Sequence, residues 1–141
     1  MTFALDPRLA ADTYEIGDLA LSRALLMNDA RYPWLILVPR RADLAEIVDL
    51  DSADRSALIE EISLISAAVR ALPRIEKINV GALGNIVRQL HVHVVGRRVG
   101  DPAWPGPVWG VGAARRYEAE AAAARVGEFR RALMRDRDVG R

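Results

Sequence analysis

The chain has 141 residues, of which 51% are hydrophobic and 28% are charged, with a formal net charge of +1 and no cysteine. This composition is typical of one globular domain, and it excludes disulfides, thiolate metal sites and cysteine nucleophiles. The small net charge provides no general attraction to nucleic acid or to an anionic membrane, and no apolar run has the length of a transmembrane helix. Because the N-terminus also lacks the residue order of a signal peptide, we expect a cytoplasmic protein.

The first half of the chain predicts a β-hairpin followed by a helix. Apolar stretches span residues 19–28 and 32–41, and an Asn-Asp pair at their junction is typical of a turn. Downstream, apolar residues recur at steps of three and four between 52 and 72, and Pro73 ends the pattern. This spacing predicts an amphipathic helix.

The second half predicts two further strands, a loop and a final helix. Residues 77–80 and about 86–97 are strand-like and are separated by a loop that contains two glycines. Residues 100–112 hold four glycines and three prolines, which exclude regular structure, and residues 113–137 are rich in strong helix formers. The order of elements predicts an α+β fold, in which a mainly antiparallel sheet packs against helices.

The two histidines of the chain lie close together, within Gln-Leu-His-Val-His-Val-Val at residues 89–95. Side chains alternate between the faces of a strand, so Gln89, His91 and His93 are expected on one face and the apolar residues between them in the core. Same-face neighbours lie about 7 Å apart. Two imidazoles at this separation are close enough to share one small anion.

Taken alone, the histidine pair fits three interpretations. The rings can satisfy backbone carbonyls on a polar sheet face, or they can bind a metal, although no nearby carboxylate supplies a third ligand. The third interpretation is covalent catalysis, because neutral histidine is a competent nucleophile near neutral pH. Its attack on phosphorus would give a phosphoramidate that water can cleave, and this chemistry needs donors around a phosphate.

The loop before the histidines offers such donors. Gly84 and Asn85 directly precede the histidine strand, and a glycine-containing loop exposes backbone N–H groups that form an anion-binding concavity. Asn79 and Asn85 add side-chain amides. Loop and histidines together favour the catalytic interpretation.

These residues resemble the histidine triad (HIT) family of nucleotide hydrolases and transferases. The family signature is His-φ-His-φ-His-φ-φ, where φ is apolar, preceded by a loop similar to Asn-x-Gly…Gly-Gln. Residues 89–95 match the signature with Gln89 in place of the first histidine, and residues 79–85 match the loop. Asn28 and the proline-bounded strand after it resemble the family's nucleoside-binding hairpin.

The resemblance implies a HIT-like fold of five antiparallel strands with flanking helices, usually in a two-fold homodimer. It also implies a reaction at the α-phosphate of a dinucleoside polyphosphate, a nucleoside phosphoramidate or a similar nucleotide conjugate. The reaction passes through a covalent nucleotidyl-histidine, as in a diadenosine polyphosphate hydrolase, and requires neither a metal nor another cofactor.

The resemblance also assigns roles by position. His91 would be the nucleophile, His93 would help to hold the phosphate, and Gln89 would take the place of a residue that orients the nucleophile. The positions implied in binding a purine nucleotide, at its ribose or its phosphates, are Asn28, Asn79, Gly84 and Asn85.

Several positions depart from the family pattern, among them Asn85, which stands where the family often has glutamine. Gln89 removes a histidine, although its amide can still donate and accept hydrogen bonds. Ile86 stands where a serine or threonine often lies near the leaving group, which weakens the case for amine-linked substrates. Trp34-Leu35 replaces a common Gly-His and predicts a different nucleoside pocket. The alternative function is therefore a non-catalytic dimeric module that binds a nucleotide or a protein partner.

The C-terminal part lies outside the resemblance, which covers about residues 18–98. We treat residues 1–112 as the HIT-like domain and residues 113–141 as a C-terminal helical extension of the same domain. Trp104 and Trp109 lie in the loop between them. We expect them to pack as a lid on their own subunit, or across a dimer, in preference to stacking on a nucleobase.

Overall fold

The computed structural model describes residues 2–139, with side chains as far as residue 134. The helices are α1 (Pro7–Asp12), α2 (Ser52–Arg70) and α3 (Ala119–Val139), and a short 3-10 turn (Ile47–Asp49) precedes α2. The strands are β1 (Thr13–Asp18), β2 (Ser22–Met27), β3 (Trp34–Pro39), β4 (Lys77–Gly81) and β5 (Val92–Arg97). They form one antiparallel sheet in the order β1-β2-β3-β5-β4, which confirms the predicted α+β architecture.

The two faces of the sheet are covered by different parts of the chain. One face packs against α2 and α3, and its buried side chains include Leu26, Leu35, Leu37, Val94, Ile65 and Phe129. The N-terminal segment and the loop after β5 cover the other face, where the buried side chains include Leu25, Trp34, Ile36, Val95 and Val108. This division follows from the alternation of side chains along each strand. His93 lies opposite Ile36 and therefore on the second face.

The predicted hairpin and central helix are confirmed. β2 and β3 pair antiparallel within the predicted ranges 19–28 and 32–41. α2 begins after Asp51, whose side chain accepts a hydrogen bond from the backbone N–H of Asp54 at 2.8 Å and so caps the helix. The helix ends at Arg70, close to the predicted end.

The sequence-based prediction missed α1 and β1. β1 is an edge strand in which only Ile16 is buried, so it lacks the apolar alternation by which strands are recognised. α3 covers the edge of β1, because the Arg130 guanidinium donates to the backbone carbonyls of Ile16 at 2.6 Å and Glu15 at 3.3 Å. Phe129 and Leu133 of α3 are buried in the core beneath the sheet. The C-terminal helix is thus part of the same packed unit.

The last strand is shorter than predicted. The prediction of a strand over 86–97 is wrong in its first half, because β5 begins at Val92. The preceding residues have other partners: the backbone N–H of Leu90 donates to the carbonyl of Leu44 at 2.9 Å, and the Gln89 side chain binds the N-terminal segment. An irregular segment therefore leads into the first histidine.

The C-terminal helix also begins later than predicted, at Ala119 and not at residue 113. The residues before it are irregular and lie along the β2–β3 turn, where the backbone N–H of Ala30 donates to the carbonyl of Arg115 at 2.6 Å. This pairing takes the place of a first helical turn. None of the helices in the described part of the chain combines the length and apolar character needed to cross a membrane.

Candidate active site

His91 and His93 lie side by side where the irregular segment joins β5. Their ring centroids are 5.0 Å apart and the ring planes meet at 67°. Both residues are largely buried, with exposed fractions of 7% and 6%. The two rings therefore form one polar cluster on a largely buried part of the sheet face.

The His91 ring is fixed by its own backbone neighbourhood. Its Nδ1 lies 2.6 Å from the carbonyl oxygen of Gln89. A carbonyl oxygen only accepts, so Nδ1 carries a proton, and in the neutral tautomer the lone pair is on Nε2. His91 also lines a cavity of about 280 Å³ together with Gly84 and the 3-10 turn before α2. His91 is thus largely buried but lies beside a cavity at the glycine loop.

The His93 ring is enclosed by two tryptophans. The indole Nε1 of Trp34 lies 3.0 Å from Nδ1 of His93, and the Trp109 ring contacts His93 edge-on with centroids 5.4 Å apart. Burial, together with the neighbouring His91, lowers the pKa of His93 to about 4. His93 is therefore a neutral imidazole at physiological pH.

Gln89 contacts His91 through its main chain and not, as expected, through its side chain. Its Oε1 accepts from the backbone N–H of Asp6 at 2.8 Å, and its Nε2 donates to the carbonyl of Ala4 at 2.9 Å. Both polar atoms of the amide that was predicted to orient the nucleophile bind the N-terminal segment. The expectation for the side chain is corrected, because the carbonyl that reaches His91 is present whatever residue stands at 89.

The loop residues predicted to contact phosphate differ in placement. Gly84 has φ +73°, a conformation that favours glycine, and lines the His91 cavity. Asn85 is exposed at the next position. Asn79 lies on β4 opposite Val95, on the histidine face, but its Oδ1 accepts from Nη1 of Arg97 at 2.8 Å. The structure thus brings Gly84 to His91 and engages Asn79 with an arginine.

Asn28 anchors the C-terminal segment. It follows β2 directly, and its Oδ1 accepts a hydrogen bond from the backbone N–H of Tyr117 at 2.9 Å. Strand register places His93 opposite Ile36, whereas Asn28 lies beyond Leu26, which pairs with Leu35. Asn28 is therefore removed from the two rings along the sheet.

Trp104 and Trp109 pack within their own chain. Trp109 lies over Gly81, where an added Cβ would stand 3.0 Å from the indole ring, so glycine makes this contact possible. Trp104 lies under the Arg97 guanidinium, 5.6 Å from its ring centroid. Asp101 fixes the loop by accepting from the backbone N–H of Trp104 at 2.8 Å. The loop thus forms a cover over the face that carries His93.

The N-terminal segment is a part of the site that sequence reasoning missed. Asp6 caps α1 by accepting from the backbone N–H of Arg8, and the Arg8 side-chain hydrogen bond is the main reason that the pKa of Asp6 is lowered. Nη1 of Arg8 also donates to the carbonyl of Ile86 at 3.0 Å. The Asp6-Pro7 pair is a recognisable helix-start signal. This signal does not indicate that Arg8 contacts the carbonyl of Ile86 in the glycine loop.

The metal interpretation lacks a ligand set in this fold. Among the described residues, no group of three or more His, Cys, Asp or Glu side chains is arranged so that it can hold a metal ion. The Trp34 indole also occupies Nδ1 of His93.

The chain was compared with known proteins. The model of the HIT domain matches residues 8–100, whereas no curated protein matches. A histidine triad protein from Bradyrhizobium japonicum is 47% identical, with a TM-score of 0.91 over 94% of this chain and 99% of that one. One from Sinorhizobium meliloti 1021 is 50% identical, with a TM-score of 0.90 over 93% and 97% of the two chains.

A histidine triad protein from Marinobacter aquaeolei VT8 is 43% identical, with a TM-score of 0.92 over 96% of this chain and 98% of that one. A Zn-bound histidine triad family protein from Mycobacterium smegmatis shares the fold at 16% identity and a TM-score of 0.66, over 94% and 93% of the two chains. The domain match, the high identities and the nearly complete coverage agree with the sheet and the paired histidines. This chain belongs to the histidine triad (HIT) family.

Proposed function

We propose that the protein is a nucleotide hydrolase or transferase that acts on the α-phosphate of a nucleotide conjugate. The observation that supports this most directly is the hydrogen bond and the position of His91. Its Nδ1 is bonded to a carbonyl, its Nε2 keeps a lone pair, and the residue borders a cavity that also contains Gly84. An imidazole fixed beside a glycine loop is suited to attack on phosphorus.

The reaction then has two steps. Nε2 of His91 attacks the α-phosphorus, an N–P bond forms, and the leaving group departs with the electron pair of its bond to phosphorus. Water next attacks the same phosphorus, the N–P electron pair returns to Nε2, and the proton of the water passes to solvent. Because Nδ1–H stays bonded to the Gln89 carbonyl, the ring keeps its orientation through both steps.

The loop favours a phosphate as the leaving group. A phosphate departs as an anion and needs no proton, whereas an amine must be protonated. Ile86, which is 82% exposed, has no proton to give. We therefore favour a dinucleoside polyphosphate, such as a diadenosine polyphosphate, over a nucleoside phosphoramidate.

The nucleotide-binding roles of the other site residues are also proposals. We propose that His93 and the Gly84-Asn85 loop hold the phosphates of a purine nucleotide, without a metal or other cofactor. In the proposed contacts of Asn79 with phosphate and of Asn28 with ribose, the Nδ2 amide group would be the donor, because the Oδ1 of each already accepts a hydrogen bond. The cytoplasmic location and the lack of a nucleic-acid or membrane partner stay predictions from the sequence.

A specific observation favours the alternative, a non-catalytic binding module. His91 is only 7% exposed, and the cavity beside it includes the carboxylate-bearing Glu46 among its lining residues. Low exposure of His91 and a nearby negative charge both disfavour attack on an anionic phosphate, which favours a site that binds without turnover.

Trapping of the covalent intermediate distinguishes these functions. The protein is incubated with diadenosine tetraphosphate, denatured in base to preserve the N–P bond, and its intact mass and peptide masses are measured. We expect a mononucleotide adduct on His91. Tight binding with neither adduct nor turnover would support the binding module, and turnover that is lost on chelation would support a metal-dependent route.

Gln89→Ala is expected to change turnover by less than about tenfold, because the substitution keeps the carbonyl that holds His91 and removes hydrogen bonds worth about 1 kcal/mol each. The effect should fall on the N-terminal segment, where the Asp6 amide loses its acceptor. Hydrogen exchange of that amide measures the loss. Arg88→Ala, at the exposed neighbouring residue, is the control and should leave exchange of the Asp6 amide unchanged. A hundredfold loss of turnover in Gln89→Ala would contradict the assignment.

We also propose that the protein forms a homodimer through β4 and α2. β4 is an edge strand, and a cavity of about 430 Å³ between it and α2 is lined by apolar side chains that include Ile62, Ile78 and Val80. Val80 is 49% exposed there. An exposed apolar edge of this kind favours pairing with a second copy.

Val80→Asp is expected to convert this dimer to a monomer, because it places a charge in the paired edge. Light scattering coupled to size-exclusion chromatography measures the mass. Val99→Asp, at a residue that is 62% exposed in the turn after β5, is the control and should leave the dimer intact. A monomeric wild-type protein would overturn the proposal.

A further inference from the structure

We propose that Trp34 is a positioning residue that fixes the tautomer of His93, so that His93 offers substrate an N–H and His91 alone offers a lone pair. The tautomer follows from the structure by itself. Its catalytic consequence rests on the proposed function.

The Trp34–His93 hydrogen bond can form in one direction only. An indole N–H only donates, so the Nδ1 of His93 that lies 3.0 Å away must be the acceptor. The proton of neutral His93 is therefore on Nε2. In His91 the donor and acceptor positions are reversed, because its Nδ1 donates to a carbonyl. Two rings with centroids 5.0 Å apart thus hold opposite tautomers.

The Trp34 indole, which is the donor, is held rigidly by its neighbours. Trp34 is 4% exposed on β3, and its ring meets Tyr32 and Trp109 edge-on, each at a centroid distance of 6.3 Å. Trp34 pairs with Val95 across the strands, which sets it beside His93 on the same face. A buried indole held in this way cannot turn its N–H elsewhere without leaving the core.

The other described elements packed around His93 place no charged side chain against its ring. Its cross-strand neighbours are Ile36 on β3 and Gly81 on β4, and Trp109 covers it from the loop, so these elements present no charge to it. The titratable group in contact with it is His91. The Trp34 N–H is therefore the group that selects between the two nitrogens of His93.

The two histidines therefore have different chemical roles, although their side chains are identical. With Nε2 protonated and Nδ1 occupied, His93 has no lone pair available for attack on phosphorus or for a metal. It can only donate to a phosphate oxygen. His91 has the complementary state, so only one histidine can become the nucleotidyl-histidine.

The test is nitrogen-15 NMR of the histidine rings, which reports the protonated nitrogen directly. In the wild-type protein we expect His93 protonated on Nε2 and His91 on Nδ1. Trp34→Phe removes the N–H and keeps an aromatic ring, and its His93 is expected to populate the Nδ1–H tautomer and to titrate at higher pH. Trp109→Phe, which alters the other indole on the same ring, should keep the wild-type tautomer.

Activity provides a second readout. In Trp34→Phe we expect kcat to fall by about tenfold, the worth of one hydrogen bond at a buried site, with a minor adduct on His93 that the wild-type protein lacks. His93 protonated on Nδ1 in the wild-type protein would overturn the inference without any variant. If no adduct forms on either histidine, the proposed function fails, while the NMR result still decides the tautomer.

Discussion

His91→Ala is expected to reduce turnover of a dinucleoside polyphosphate by at least about 10³-fold, as for the loss of other covalent nucleophiles. The nucleotide adduct should disappear completely. The reason is that Nδ1 of His91 is hydrogen-bonded to a carbonyl, which leaves Nε2 as the nucleophilic nitrogen of that ring, while Nδ1 of the neighbouring His93 accepts from Trp34. Steady-state kinetics and intact-mass measurement of the same preparation check both parts.

Affinity for a nucleotide is the control measurement for His91→Ala. His91→Ala leaves the glycine loop and His93 in place, so affinity for a mononucleotide should change by only a few-fold. His91→Gly adds a chemical control, because added imidazole can occupy the vacated space and restore part of the turnover. Turnover near the wild-type level in His91→Ala would refute the covalent route, whatever the binding result.

Arg97→Leu is expected to destabilise the protein by about 3–5 kcal/mol, the cost of leaving one partner of a buried ion pair uncompensated. Nε and Nη2 of Arg97 donate to the Asp101 carboxylate at 2.7 and 2.8 Å, and the two side chains are 1% and 2% exposed. Asp101 also holds the tryptophan loop through the backbone N–H of Trp104. Urea unfolding at neutral pH measures the loss, and the loop should loosen with it.

The Arg23–Asp18 pair gives the matched control, because these side chains are 28% and 38% exposed and lie on the surface. Arg23→Ala should cost no more than about 1 kcal/mol. Equal losses in Arg97→Leu and Arg23→Ala would contradict a special role for the buried pair. The double variant Arg97→Leu/Asp101→Leu should be less destabilised than the sum of its two single variants.

The buried pair also sets a pH dependence. Burial alone would raise the pKa of Asp101, but hydrogen bonds from Arg97 and from backbone N–H groups hold that pKa below the ordinary value. A group whose pKa is lowered by folding contributes stability above its unfolded-state pKa and loses it as the pH falls. The difference in stability between wild type and Arg97→Leu should therefore shrink in acid.

The histidines, the glycine loop and most elements were predictable from the sequence because each depends on local spacing. Alternation placed His91 and His93 together, and steps of three and four located α2. The roles of Gln89 and Trp34 were not predictable, because each depends on a distant partner. The hydrogen bonds from Asp6 to Gln89 and from Trp34 to His93 join residues 83 and 59 positions apart. No local pattern encodes such a contact.

The two outer strands of the sheet differ in a way that limits assembly. Arg130 donates to the backbone carbonyls of Glu15 and Ile16 on β1, whereas β4 on the other side of the sheet carries the exposed Val80. A sheet that can be extended at both margins can grow into a fibre, because every added copy offers a new margin. With Arg130 at the β1 margin, the pairing proposed above at β4 would join two copies without leaving a second free margin, so the assembly would close as a pair.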